Sequence, residues 1–573
     1  GPRRPTNLGC TSCTVFAGMS SRFLLVACFI ASARASDYAC PVLPPAGVKR
    51  TEHAPPTVDG GAFQFIGGKE VAHSGKVTAV TSPIFDLETG ERMPIGSLPD
   101  LQPEQAAAAV KAAAAAWDKG QGVWPQMPLA KRIAAIEALV EALRERRAEL
   151  VEVLMWEIAK SSSDAAKEFD RTMDFVAAAI AELKKDPTIG QGFAQWGEVS
   201  GVGVRVRRGP IGVMLALAPF NYPLNEMYAM LIPSLLMGNV AVLKLPAIGG
   251  LVHVLTASAF QKVLPPGVIN FVSGSGRKTM GPIMETGLVD VLGFIGGTRG
   301  ADALIKAHPS PHRLKVFAQL EGKNLGIVLP DADLDVAASQ CMLGATSYNG
   351  QRCTAIKLIM VHSSVADAFV ERLVAKIGAL KVGLPWEEGV AITPLPETAK
   401  PKYLEELIGD ALGKGASLAN QAAGGGGIAG ALMTPAIVDG VTPAMRLFHE
   451  EQFGPVVPIA RFDDISEVTS AIKESWNGQQ AALFTSSAAA AAPLVDTLST
   501  VVGRININVQ CGRSPDVVPF SGRRSSSQGT MSVGEALRAF SIETVVAYPT
   551  KDANAAQVAK GLDATTSLFA PLA

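Results

Sequence analysis

The chain has 573 residues, 48% hydrophobic and 18% charged, which describes a globular protein and excludes a disordered one. That length exceeds a single hydrophobic core and predicts two or three domains. The 51 basic and 52 acidic residues leave a net charge of −1, so no global field draws the chain to nucleic acid or to an anionic membrane.

The N-terminal stretch differs from the rest. Four of the seven cysteines, Cys10, Cys13, Cys28 and Cys40, fall there; only Cys341, Cys353 and Cys511 follow. This is not a disulfide scaffold, and the lone CxxC of Cys10 and Cys13 lacks the second pair that a structural zinc site needs. "RFLLVACFIASARA" (22–35), just after Met19, carries an arginine, an apolar run and a small-x-small end. It reads as a cleavable targeting segment, with a disordered extension as the alternative, and is too short to span a bilayer as a helix. It leads either to the secretory route or onward to a complex plastid. The cysteine-poor body points to a reducing compartment, cytoplasm or plastid stroma. No membrane contact is expected of the mature form.

Residues 40–62, rich in proline and glycine, read as a linker, with regular structure beginning near Phe63. "PEQAAAAVKAAAAAWDK" (103–119) and "LAKRIAAIEALVEALRERRAELVEVLMWEIAK" (129–160) predict helices. "VRVRRGPIGVMLALAPF" (204–220) turns to strand-like alternation and then a buried apolar run. "VAVLKL" (240–245) precedes a helix around 250–263, and "GVINFVSG" (267–274), "VLGFIGG" (291–297) and "KNLGIVL" (323–329) keep the rhythm. Strand–helix alternation of this kind predicts an α/β fold with a largely parallel sheet. "AAGGGGIAG" (423–430) reads as a flexible loop and "SSAAAAAA" (486–493) as a poorly specified helix.

"YNGQRCTA" (348–355) places Cys353 directly after Arg352. A lone cysteine can be packing filler, half of a disulfide, a metal ligand or a nucleophile. An adjacent guanidinium favours the thiolate, the form that attacks. In "APFNYPLNE" (218–226), Asn221 sits in a turn marked by Pro219 and Pro223, where its amide can donate to an oxyanion or simply make the turn. Lys244, in "LKLPA", lies at the carboxyl end of a strand, where open α/β sheets bind nucleotides. "FIGGTRG" (294–300) is a glycine turn opening a helix, able to admit a phosphate. "EEQFGPV" (450–456) adds a carboxylate and an aromatic ring beside a tight turn.

In this combination and order the segments resemble the aldehyde dehydrogenase superfamily from about Phe63 to Pro549, and within it the non-phosphorylating, NADP-dependent glyceraldehyde-3-phosphate dehydrogenases. The resemblance implies a Rossmann-like cofactor domain (63–195 and 211–321) and an α/β catalytic domain (322–520). It also implies a β oligomerisation arm and tail (196–210 and 521–573), and a homotetramer or homodimer. It implies that Cys353 attacks an aldehyde, that Asn221 and the Cys353 N–H hold the oxyanion, and that a thioacyl enzyme is released by water. Pro219, Phe220, Lys244, Gly296, Gly297, Glu451 and Phe453 fall at cofactor positions. Ala247 stands where NAD-preferring members carry a glutamate, so NADP is favoured and NAD permitted. Arg171, Tyr222, Arg352 and Arg513 fill the branch's four substrate-phosphate positions, which suits a phosphorylated aldehyde.

One segment departs from the family. Its general base is the glutamate of Glu-Leu-Gly-Gly-Lys; here the register reads Gln319-Leu320-Glu321-Gly322-Lys323. An amide can orient water but cannot take its proton. Three outcomes stay open: an active enzyme with Glu321 or Glu451 as base, an acyl-transferring member (CoA-acylating), or a nucleotide-binding subunit that has lost turnover. Among active enzymes, another anionic aldehyde such as succinate semialdehyde is the alternative substrate.

Overall fold

The structure, a computed structural model, describes residues 43–185, 189 and 196–566. The signal-like segment, Met19 and the four N-terminal cysteines lie outside the described residues.

Two sheets carry the site. The first is built from β1 (Val213–Leu217), β2 (Val240–Lys244), β3 (Ile269–Val272), β4 (Val291–Ile295) and β5 (Lys315–Gln319). Helix α1 (Pro223–Met237) follows β1, and α2 (Thr298–Ala307) follows β4. All five strands run parallel, in the order β3-β2-β1-β4-β5. Every residue of β2, β3 and β4 is buried, as expected of strands covered on both faces. The order reverses between β1 and β4, and ligands of such sheets bind outside the carboxyl ends at that point.

The second sheet comprises β6 (Asn324–Val328), β7 (Ile356–His362), β8 (Ser417–Leu418), β9 (Ala436–Asp439), β10 (Val456–Phe462), β11 (Gln480–Phe484) and β12 (Arg504–Ile507). Its order is β8-β9-β10-β7-β6-β11-β12, parallel except at β8. A third, three-stranded antiparallel sheet pairs Val202–Gly209 with both Gly197–Val199 and Ile542–Pro549. These are the residues expected to form an arm, and Val199, Ile542 and Val545 on it are exposed.

Several boundaries differ from the sequence reading. Residues 43–62 are no simple linker: Gly47–Val48 pairs with Phe85–Asp86, and Val58–Asp59 with Gly96–Ser97. The helix expected over 129–160 is two, Leu129–Arg144 and Arg147–Ile158. It breaks at Arg146, whose guanidinium bonds Glu149 and the Leu255 carbonyl instead of solvent. The helix expected near 250–263 also breaks, into Leu251–Val254 and Ala257–Val263. Part of the glycine-rich loop, Ile428–Ala429, pairs with Leu432–Met433. Residues 521–541 are not arm or tail. There β13 (Ser527–Gln528) adds antiparallel to β5, and the helix Val533–Ala539 buries Val533, Ala536 and Leu537. Only Ile542–Pro549 joins the arm.

The loop after β2 hangs on a buried acid. Glu157 Oε1 accepts from the backbone N–H of Gly249 and Gly250 at 2.8 Å each, and Oε2 from Leu251 at 3.1 Å. Burial, opposed by those bonds, pushes the Glu157 carboxyl up from 4.5 to about 7. A raised folded pKa means the stabilisation is complete below 4.5 and lost as pH rises through about 7. Glu157→Gln should therefore gain roughly 3 kcal/mol relative to the parent between pH 4.5 and pH 8. Urea unfolding at the two pH values measures it, and a pH-independent difference would contradict it.

Candidate active site

The carboxyl ends of β1, β4 and β5 open on a cavity of about 910 Å³ whose far wall carries Cys353. Pro219, Phe220, Asn221 and Tyr222 line it between β1 and α1. Gly296 and Gly297 line it just before α2, and Gln319 and Glu321 at the end of β5. Arg171, Arg352, Arg513, Glu451 and Phe453 complete the set expected from sequence. Lys244 and Ala247 do not line it: they lie at and beyond the end of β2, with Ala247 exposed.

Cys353, Cys341 and Cys511 are free thiols, and Cys353 is half-buried. The turn before it is tight, with Tyr348 and Asn349 both in the left-handed region. Asn349 holds that shape by donating to Thr393 O at 3.0 Å and accepting from Thr393 N at 2.9 Å. Burial pushes the Cys353 thiol up, as does the Glu226 charge; Lys357 pulls it down, Glu451 adds to the rise, and a hydrogen bond with Gln479 lowers it. The expectation that Arg352 promotes the thiolate needs correction. Its Nη2 is engaged with the Leu343 and Gly344 carbonyls and with Gln510 Oε1, at 3.2, 3.0 and 3.1 Å. Leu343 O, in the last turn of the helix Leu334–Thr346, also accepts from the Ser347 N–H and, at 2.6 Å, from Ser347 Oγ, so Arg352 adds a further donor at that helix end. The cation acting on the thiol is Lys357, whose Nζ donates to Cys353 O at 3.1 Å and pairs with Glu451.

Asn221 Nδ2 donates one hydrogen to Gln351 O at 2.7 Å, which orients the amide and leaves its second N–H. Its own carbonyl accepts from Lys160 Nζ at 2.8 Å. Lys160 is fully buried, pairs with Glu168, and sits 3.4 Å above the Tyr222 ring. Glu168 in turn accepts from Leu224 N and Asn225 N, at 3.0 and 3.2 Å, in the first turn of α1. This pair fixes Asn221 and Tyr222, and sequence reading missed it. The one available signal was a lysine closing "VLMWEIAK", where Glu157 is the only other charged residue.

At the base position, Gln319 Nε2 donates to Gly529 O at 3.4 Å, while Oε1 is buried without a partner. Glu321 Oε2 accepts from Thr298 Oγ1 at 2.7 Å, at the first residue of α2. Glu451 Oε1 accepts from Lys357 Nζ and, at 3.2 Å, from Gly322 N.

A dinucleotide fits the chain that flanks this cavity. Gly297 caps α2, and a Cβ there would come within 2.9 Å of Glu321 Oε1, so the cradle is tight. The Phe220 and Phe453 rings meet edge to face at 5.9 Å. Lys244 Nζ is held by Leu245 O at 2.5 Å, and burial pushes it down to about 8. Glu321 is the one misfit, because its carboxylate occupies the anion-attracting end of the helix.

The presumed phosphate wall holds more than arginine. Arg171 grips Asp516 through Nε and Nη2, at 3.0 and 2.7 Å. Arg513 reaches the same carboxylate through Nε at 3.1 Å, and Glu226 through Nη1 at 2.7 Å. Burial works against the Asp516 carboxylate, but the Arg171 bonds and the Arg513 charge hold it below the usual range. Arg513 Nη2 and Arg352 Nε are buried without partners. Asp516 and Glu226 were not foreseen, although "RSPD" places Asp516 three residues from Arg513.

Residues 76–546 match the model of the aldehyde dehydrogenase family. The chain belongs to that family. It is 34% identical over 464 residues to an NADP-dependent glyceraldehyde-3-phosphate dehydrogenase of Streptococcus equinus, covering 80% of this chain and 93% of that enzyme. A malonate-semialdehyde dehydrogenase of Pseudomonas aeruginosa is 29% identical over 78% of this chain and 88% of its own length. Among solved structures, an NADP-dependent glyceraldehyde-3-phosphate dehydrogenase from Bacillus halodurans complexed with NADP superposes with a TM-score of 0.77. Its sequence is 33% identical, and the match covers 85% of this chain and 99% of that one.

Burial and the Glu226 charge keep the resting Cys353 thiol more protonated than an ordinary cysteine. Iodoacetamide should alkylate Cys353 with a pH midpoint above that of an ordinary cysteine, about 8.5. Glu226→Gln, which removes a facing negative charge, should move the midpoint down. An unchanged midpoint would show that Glu226 does not act on the thiol.

Proposed function

We propose that this aldehyde dehydrogenase oxidises glyceraldehyde 3-phosphate to 3-phosphoglycerate with NADP and without inorganic phosphate. The observation that carries this reading is one cavity holding a free thiol and, on the wall beside it, Arg171, Arg352 and Arg513. Two of those guanidinia keep a buried N–H unpaired, and a phosphate's oxygens match such donors. The named relatives at 33–34% identity support the same substrate.

The roles follow from the geometry. The Cys353 thiol gives its proton to solvent and the thiolate bonds to the aldehyde carbon; the C=O pair moves onto oxygen, and this oxyanion accepts from the second N–H of Asn221 and from the Cys353 N–H. NADP, when bound, would supply the acceptor for the hydride that the thiohemiacetal carbon must lose to become a thioester on Cys353. Lys244, Gly296, Gly297, Glu451 and Phe453 would hold that cofactor, and Ala247 brings no carboxylate against a 2′-phosphate. Water then attacks the thioester and frees the thiolate. Gln319 accepts one water hydrogen through its unpaired Oε1 but cannot act as base.

A second reading, oxidation of another anionic aldehyde such as a semialdehyde acid, is favoured by Asp516 and Glu226. They already neutralise part of the cationic wall, which suits a single negative charge as well as two. The arm's exposed apolar residues support a homodimer or homotetramer, and the cysteine-poor body supports the cytoplasm or plastid stroma. Among the described residues no helix is long and apolar enough to cross a membrane.

Arg513→Ala separates the two substrates. Losing a charge-assisted contact should lower kcat/KM for glyceraldehyde 3-phosphate about 10–150-fold. The effect on succinate semialdehyde should be smaller. An equal loss on both would remove the phosphate assignment, and NADPH formation by Cys353→Ser at the parent rate would remove the thiol chemistry.

A further inference from the structure

Residue 319 cannot accept a proton, yet four carboxylates line the cavity, of which Glu226 is paired with Arg513 and Glu397 with Lys400, leaving Glu451 and Glu321. Glu451 is committed: Lys357 and the Gly322 N–H both hold its Oε1. Glu321 is held by its side chain at one point only, the Thr298 hydroxyl at the start of α2. Its backbone, by contrast, is anchored. Leu320 N donates to Ser526 O at 2.8 Å, and Ser526 Oγ donates to Glu321 O at 2.7 Å. Gly322 packs against the nucleophile's own backbone, where a Cβ would lie 3.1 Å from Cys353 O. A rotation of the Glu321 side chain about this fixed backbone therefore exchanges the helix end for the thiol's side of the cavity.

The two ends of that rotation differ electrostatically. At α2 the carboxylate sits in the positive end of a helix dipole, beside a glycine whose missing Cβ leaves just enough room for it. A cofactor diphosphate seeks the same site and carries more negative charge. The orphaned Oε1 of Gln319 marks the other end: its Nε2 is fixed on Gly529 O, which leaves the buried acceptor without a partner on the cavity wall.

We infer that Glu321 is the general base of this enzyme, parked on α2 in the free protein and released toward the thioester when the cofactor diphosphate takes its place. The inference rests on the thiol chemistry proposed above. In the step itself, the water oxygen bonds to the thioester carbon and the C–S bond breaks toward Cys353. The water proton passes to the Glu321 carboxylate while Gln319 Oε1 holds the second hydrogen. The arrangement makes hydrolytic competence conditional on a loaded cofactor site.

Calorimetric titration of NADP and stopped-flow NADPH formation with glyceraldehyde 3-phosphate, on the parent and on Glu321→Gln, test it together. The variant should bind NADP about 2–10-fold more tightly, because a competing anion is gone. It should keep a burst of one NADPH per subunit, while the steady state that follows drops about 10²–10⁴-fold. Adding Gln319→Glu to the variant should restore at least about tenfold of that loss. A merely structural role would weaken NADP binding, not tighten it. NADP binding that is unchanged or weaker, or a post-burst rate equal to the parent's, would overturn the inference. No NADPH from the parent at all would instead overturn the reading beneath it, and this inference with it.

Discussion

A thiol has to become an anion inside a wall that already contains carboxylates, and the whole site is arranged around that demand. Burial and Glu226 oppose ionisation of Cys353, and Lys357 is the cation set against them. Lys357 is itself shared with Glu451, so the charge that favours the thiolate also anchors a cofactor-facing carboxylate. In the mechanism proposed above, attack and hydride removal would thereby both lean on one ammonium group. A resting thiol of this kind is protected from stray electrophiles and oxidants until the cavity's charge balance changes.

The same economy governs the opposite wall. Arg171 and Arg513 converge on Asp516, and Arg513 also engages Glu226, which stands beside the thiol. A phosphorylated substrate bound there, as proposed, would compete with Asp516 and Glu226 and so couple binding at the wall to the field felt at Cys353. Buried pairs of this type contribute little net stability, because desolvation offsets their attraction. Their value is positional: the guanidinia are fixed in orientation before any ligand arrives.

Features written in local chemistry were legible in the sequence. The strand–helix alternation, the glycine turn before α2 and the small-residue loop around Cys353 depend on neighbours within a few positions. The residues expected to meet in one cavity do so, except Lys244 and Ala247 at the neighbouring strand end. What could not be read were partnerships across distance. Asp516 lies 345 positions from Arg171, and Lys160 lies 61 from Asn221. Arg352 was misjudged for the complementary reason, since adjacency along the chain does not set a side chain's direction; the carbonyls of Leu343 and Gly344 and the Gln510 amide oxygen engage it. The two-residue strands at 47–48 and 58–59 carry too little pattern to announce themselves among prolines.

The short strand β13 has a consequence for how the molecule comes into being. Residues 526–529 arrive late in synthesis, yet they supply the hydrogen bonds that hold Leu320, Glu321 and the Gln319 amide. A nascent chain that has made β1 to β12 still lacks the edge strand β13 and its clamp on residues 319–321. The same stretch runs on, through one buried helix, into the exposed strand Ile542–Pro549. That clamp forms only after nearly the entire polypeptide has left the ribosome, and truncation from the C-terminal side would strip an edge strand and Met531, Val533, Ala536, Leu537 and Phe540 from the core of the first sheet.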